Sequence, residues 1–113
     1  MTRAEAAKSV YKLTVAKHGA LAGVPADEGE TLYRWSTRWM RAEASAATTP
    51  AERVEAVSAH LKRMTEWSGA LGLQQRNDVL RTHVGAASYY VGEAEELLAI
   101  VSAGKALPPG SEP

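Results

Sequence analysis

The side chains best suited to chemistry in this 113-residue chain are its three histidines and one arginine–tryptophan run. The histidines are His18, His60 and His83; the run is Leu32-Tyr33-Arg34-Trp35-Ser36-Thr37-Arg38-Trp39-Met40-Arg41. Histidine can ligate a metal or move a proton near neutral pH. Here none stands at ligand spacing from a second histidine or a carboxylate, since His-x-x-x-His, Glu-x-x-His and His-Glu-x-x-His are all missing. The histidines therefore read as surface or partly buried side chains. There is no glycine-rich phosphate loop and no serine elbow, and Glu93, Glu95 and Glu96 read as a solvated helix face. Without cysteine, thiolate catalysis, disulfides, iron–sulfur clusters and cysteine zinc sites are excluded. The expectation is a protein that is not an enzyme, with no metal site and no cofactor.

The arginine–tryptophan run has a second kind of chemistry, recognition. On a helix, Leu32, Trp35, Trp39, Ala42 and Ala46 form one stripe, and Arg34, Arg38 and Arg41 form another. Such a pairing could bind phosphate, RNA or anionic lipid. It could equally be a solvated face, with Glu30 pairing to Arg34 and arginine stems covering the tryptophan edges. Thirteen basic and thirteen acidic residues cancel, so no global field draws a nucleic acid, and none is expected as a partner. Charge is uneven locally: Arg3, Lys8, Lys12 and Lys17 face only Glu5 within residues 1–23, and acids outnumber bases after residue 73.

The elements that must position these residues read as helices throughout. Thr2 and Glu5 form a capping box for a first helix over about 3–21, closed by Gly19, Gly23 and Pro25. Asp27 is the expected cap of a second helix reaching about Ala47. Thr49-Pro50-Ala51-Glu52 is the strongest boundary signal and opens a third helix, which carries Val54, Val57, Leu61, Met64 and Leu71 with Trp67 alongside. A fourth helix starts within 74–78 and runs to about Ala103. Its apolar stripe is Leu80, Val84, Ala87, Val91, Ala94, Leu98 and Val101, and Gly85, Ser88 and Gly92 form a stripe of small residues. Two mid-helix glycines cost about 1 kcal/mol each against alanine, so a close backbone approach is expected there, within the bundle or to a second molecule. No segment alternates with period two. The fold expected is an all-α, four-helix up-down bundle without strands. Two hairpins, about 3–47 and 50–103, form one domain over 1–104, and 105–113 is a disordered tail.

The chain also holds an internal repeat. Gly19-Ala20-Leu21-Ala22-Gly23 and Gly69-Ala70-Leu71-Gly72 each precede a polar turn, an aromatic pair (Trp35 and Trp39; Tyr89 and Tyr90) and an Ala-Glu pair, Ala42-Glu43 and Ala94-Glu95. With Asn77-Asp78-Val79-Leu80, the second copy resembles the helical hairpin of TolC-type outer-membrane efflux proteins. The chain is also similar to uncharacterised bacterial helical proteins through Arg34–Met40 and Glu52–Met64. The resemblance implies helical hairpins and an envelope ancestry. It does not imply a channel, because barrel strands and periplasm-spanning helices are missing.

The function expected is a structural or protein-interaction module that self-associates or docks on another helical protein. Trp35, Trp39, Arg34 and Arg38 are its anchors, and Gly85, Ser88 and Gly92 its second surface. The alternatives are a small apolar or anionic ligand held between helices, or weak association with anionic membranes. With no apolar run near 18 residues and no signal-peptide pattern, a cytoplasmic location is expected, with an envelope setting possible for a longer parent chain.

Overall fold

A computed structural model describes residues 1–74 and 81–110. Four α-helices and no strand are found among these residues: α1 (Arg3–Ala16), α2 (Gly29–Ala46), α3 (Pro50–Leu73) and α4 (Arg81–Ser102). Two short 3-10 turns, Leu21–Gly23 and Ala26–Glu28, join α1 to α2. The expected start of the fourth helix, and Leu80 of its stripe, lie outside the described residues.

Two helix starts form as their sequences require. Thr2 Oγ1 accepts from the Glu5 amide at 3.1 Å, and Thr49 Oγ1 accepts from the Glu52 amide at 3.2 Å, with Pro50 opening α3. The end of α1 differs from expectation. It stops at Ala16 rather than near 21, because Gly19 takes φ +84° and turns the chain back. A Cβ at Gly23 would run into the His18 carbonyl, so this turn closes too tightly for a side chain. The segment then enters the core. Val24 is wholly buried, and its carbonyl accepts from Gln74 Nε2 at 2.8 Å. At the start of α2 the expected Asp27 cap is replaced: Glu28 holds the position without a side-chain bond, and the 3-10 turn before it leads into the helix. Glu28 instead lies 3.6 Å from Lys17 Nζ and 3.5 Å from His18 Nε2.

The helices neighbour one another chiefly in chain order, with α4 also touching α2. Contacts between them run in opposite directions along each pair. Gly29 meets Trp67 while Ser36 meets His60 farther along α2, and Tyr11 meets Trp39 while Ala6 and Ala7 share a cavity with Ala42 and Ser45. Successive helices are thus antiparallel, as an up-down bundle requires. Among the described residues, α1 packs mainly on α2 and α4 mainly on α3.

The core consists of two apolar clusters. One gathers Tyr11, Val24, Leu32, Met64, Trp67, Leu71, Ala87 and Tyr90; the other holds Met40, Val57, Leu97 and Val101. Residues Leu32, Ser36, Met40 and Ala44 are the buried edge of α2, so the inward face is rotated from the tryptophan stripe. Trp35, Trp39 and Ala42 are half-buried and Ala46 is exposed. On α4 the buried residues are Ala87, Tyr90, Ala94, Leu97 and Val101, whereas Val84 is 51% exposed. Ala87, Ala94 and Val101 of the expected stripe are thus buried as expected, while Tyr90 and Leu97 take the inward places expected of Val91 and Leu98.

From Lys105 to Gly110 the chain has no regular structure but is held against the bundle. Leu107 packs on the second cluster, and Arg41 Nη1 donates to the Pro108 carbonyl at 2.9 Å. The two halves of the repeat also diverge. Gly19–Gly23 forms a turn, while Gly69–Gly72 is helical within α3.

Only one helical glycine is forced by space. Gly29 has an ordinary helical φ of −58°, yet a Cβ there would stand 2.9 Å from Trp67 Nε1. Gly69, Gly72, Gly85 and Gly92 would each place a Cβ in open space. Gly29→Ala should therefore destabilise the fold by about 1–3 kcal/mol. Gly69→Ala, in the α3 interior, should stabilise it by about 0.5–1 kcal/mol. Urea denaturation of both variants checks the pair, and equal effects would refute the packing assigned to Gly29.

Candidate functional site

The most conspicuous polar constellation lies between the two apolar clusters. Ser36 and His60 are wholly buried and Arg63 is 9% exposed. The Arg63 Nε–H donates to Ser36 Oγ at 2.6 Å, and an Arg63 Nη donates to the Ser36 carbonyl at 3.1 Å. Since Ser36 Oγ accepts from arginine, its own hydrogen is free to be donated to His60 Nδ1, 2.7 Å away. That assignment puts the imidazole proton on Nε2, which is buried with no partner. The guanidinium stacks 3.9 Å from the Trp39 ring centroid and reaches the Tyr11 ring at 5.8 Å. Burial and the Arg63 and Arg41 charges push the His60 pKa down to about 3, so the ring is neutral at physiological pH. Burial likewise lowers the Arg63 pKa to about 10, which leaves it charged at neutral pH.

A serine within hydrogen-bond reach of a histidine has the outline of a nucleophile and its base. Here neither side chain is open to a substrate, and a histidine with a pKa near 3 is a weak base at pH 7. The cluster's evident work is to fasten α2 to α3. Next to it, Tyr33 fastens α2 to α4: its ring stacks on Tyr90 at 4.1 Å and its hydroxyl donates to Glu93 Oε1 at 2.6 Å. Burial, then the Glu93 carboxylate, raises the Tyr33 pKa.

Concave surface is found on the flanks of α2, and its two sides have opposite character. On the α3 side, a cavity of about 340 Å³ is lined by Trp39, Glu43, Glu52 and Glu55 with two alanines. These carboxylates form no metal-binding group among the described residues. On the α1 side, a groove of about 430 Å³ is lined by Arg3, Ala6, Ala7, Trp35, Arg38, Arg41, Ala42 and Ser45. Among the described residues the lining contains three guanidinium groups and no carboxylate. Arg38 stacks 4.3 Å from the Trp35 ring centroid. Neither Arg3 nor Arg41 is in an ion pair among the described residues, and Arg41 Nε is buried without a partner.

Of the residues singled out in the sequence, Trp35 and Arg38 come together in this groove. Arg34 does not join them; it is paired with Glu30 at 2.8 Å on an exposed face, as the i,i+4 spacing predicts. Trp39 lies in the bundle's own packing, with Tyr11 5.9 Å away, Arg63 on its face and Lys8 Nζ at 5.9 Å. Gly85, Ser88 and Gly92 lie on the outer side of α4, where neither glycine approaches another backbone within the bundle. His18 and His83 are half-buried; His60 departs from the surface or partly buried setting expected of it. Sequence reasoning missed the contribution of Arg3, which the folding of α1 onto α2 brings to the groove. It also missed Ser36 and Arg63 as a buried pair. The available signal was the i,i+4 series Leu32, Ser36, Met40, Ala44, with serine between two residues of the inward edge.

Compared with protein-family models, curated proteins and solved structures, this chain has no match. The TolC-type resemblance therefore rests on the residues that suggest it, of which Asn77–Leu80 lie outside the described residues. No described helix is long and apolar enough to cross a membrane.

The buried imidazole makes stability depend on pH. His60 has a folded pKa near 3 and an unfolded pKa of 6.5, so the unfolded chain binds the extra proton between these values. Its contribution is full above pH 6.5 and is lost as pH falls below it, by up to about 1.4 kcal/mol per pH unit. Urea denaturation at pH 7, 6 and 5 should show that slope in excess of the slope of His60→Gln. Equal slopes for the two proteins would remove His60 as the cause.

Proposed function

We propose that this protein is a small helical binding module that takes an anionic ligand in the groove between α1 and α2. The observation that carries this reading is the lining itself: Arg3, Arg38 and Arg41 come together with Ser45 on a concave surface that, among the described residues, contains no carboxylate. Guanidinium groups match the oxygens of phosphate and carboxylate in two-point hydrogen bonds. Trp35 and the alanines of both helices offer an apolar wall for the rest of a ligand. Because the chain is neutral as a whole, the attraction is local to the groove. Inorganic phosphate at low ionic strength is the simplest probe, and Trp35 is its reporter. Saturable quenching in the range of roughly 1 mM is expected for a single small oxyanion. The signal should vanish in Trp35→Phe, and affinity should fall about tenfold in Arg41→Gln. A wild-type protein whose fluorescence does not respond to phosphate would overturn the assignment.

A second reading, self-association, is favoured by the outer face of α4. Its two interior glycines have no cause within the bundle, and they lie beside exposed Val84 and Tyr89, the latter 64% exposed. A second copy seated against this face would give Gly85, Ser88 and Gly92 the close approach that their cost implies. Light scattering over a range of concentrations should then show a dimer that Gly92→Leu returns to monomer. A wild-type chain that stays monomeric at every concentration would eliminate this reading.

A further inference from the structure

The C-terminal segment, Lys105 to Gly110, is held to the bundle by few contacts. Leu107 is half-buried and packs on the second apolar cluster, and the other residues of the segment are exposed. Its one recorded side-chain hydrogen bond to the bundle, among the described residues, runs from Arg41 Nη1 to the Pro108 carbonyl at 2.9 Å. No ion pair among the described residues involves it. Beneath it a cavity of about 540 Å³ remains, bordered by Ala44, Ser45 and Arg53 of the bundle. The segment thus bridges the surface more than it packs along it. A segment with one apolar anchor and few contacts opens at low free energy while the rest of the fold stays intact.

That hydrogen bond falls on a residue of the basic groove, because Arg41 also lines the space between α1 and α2. A guanidinium offers an oxyanion two forks, end-on through Nη1 and Nη2 or side-on through Nε and Nη2. The segment encumbers both. On the end-on fork, Nη1 already has the Pro108 carbonyl as its acceptor. On the side-on fork, Nε is buried without a partner. Gly110 lies against it: a Cβ there would stand 3.0 Å from Nε and 3.3 Å from the guanidinium carbon. Arg41 is therefore drawn toward the segment on both of the faces with which it would grip an anion.

From this arrangement we infer that the C-terminal segment is an autoinhibitory strap, which competes with the groove's anion for Arg41. The inference rests on the anion-binding reading above and adds its regulation. While the strap is latched, Arg41 gives an anion less than a full fork. Once Leu107 leaves its seat, the fork is free to face the groove. Apparent affinity is then lowered by the fraction of molecules that are latched. By reciprocity, an anion in the groove must loosen the strap by the same factor.

The test has two arms, both on the full chain. Leu107→Ser removes the apolar anchor without touching the groove lining, and thermal melts confirm that the variant is folded. Phosphate titration followed by Trp35 fluorescence should give a Kd about three- to tenfold lower in Leu107→Ser than in the wild-type chain. In an Arg41→Gln background the same change should have no effect. The second arm needs no substitution. Trypsin should cut the wild-type chain after Lys105 several-fold faster in phosphate than in sodium chloride of equal ionic strength, with the cut located by mass spectrometry. Equal Kd values for Leu107→Ser and wild type, or a cut after Lys105 indifferent to phosphate, would overturn the strap and leave the groove standing. A gain that persists without Arg41 would overturn Arg41 as the latch. If none of these proteins binds phosphate, the groove reading fails and the strap fails with it.

Discussion

The rest of the bundle depends on a buried cation. Arg63 is enclosed between α2 and α3, and its position is tolerable only because Ser36 supplies two acceptors and Trp39 a ring face. Ser36 then has its hydroxyl hydrogen left to satisfy His60. Each member of the set fixes the next, so the layer acts as a unit rather than as three separate contacts. It also divides the apolar interior. Leu32 and Met64 lie on one side and Met40 and Val57 on the other. A bundle whose interior is largely alanine, valine and leucine can slip by a turn at small cost. With this layer in place, slipping α2 against α3 would bring Arg63 against apolar side chains and leave it without acceptors, so one register is selected.

The same layer explains why the two tryptophans of α2 have different fates. Trp39 is the lid of Arg63 and abuts Tyr11, whose ring the same guanidinium reaches, so its indole belongs to the structure of the bundle. Trp35, one turn earlier, has Arg38 on its face and opens onto the groove. Thus α2 turns Trp39 inward onto a charged guanidinium of α3, and Trp35 with its own Arg38 toward the groove. The neutral total charge of the chain hides this arrangement, because the carboxylates that balance the groove lie elsewhere, among them Glu43, Glu52 and Glu55 on the opposite flank of α2.

The parts of this architecture legible in the sequence are those governed by local rules. The Thr2 and Thr49 caps, Pro50, the stop at Gly104 and the Glu30–Arg34 pair all depend on residues within one turn of each other. Val57, Met64 and Leu71 of α3 and Ala87, Ala94 and Val101 of α4 are buried at the expected spacing, but the direction of the inward face of α2 was not legible, and the reason is physical. Tryptophan weighs heavily in any count of apolar residues, but its amphipathic ring is well suited to the boundary of a helix interface, and Ser36 is small enough to sit at the centre. The shortened α1 has a similar cause: Leu21 and Val24 look like a continuation of a helix, and serve instead as a plug over the end of the core once Gly19 has reversed the chain. The groove was half visible. Trp35 and Arg38 are one turn apart in sequence, whereas Arg3 reaches the same surface only through tertiary packing.

The contact of Gly29 with Trp67 bears on how this sequence can drift. Any side chain at position 29 needs a smaller or displaced neighbour at 67, and any smaller residue at 67 leaves a void beside Leu32 and Met64. Single changes at either position lead downhill in fitness, and only a coordinated change at both crosses to another packed solution. Among divergent descendants of this chain, positions 29 and 67 should therefore be inherited as one character, although they stand 38 positions apart in sequence.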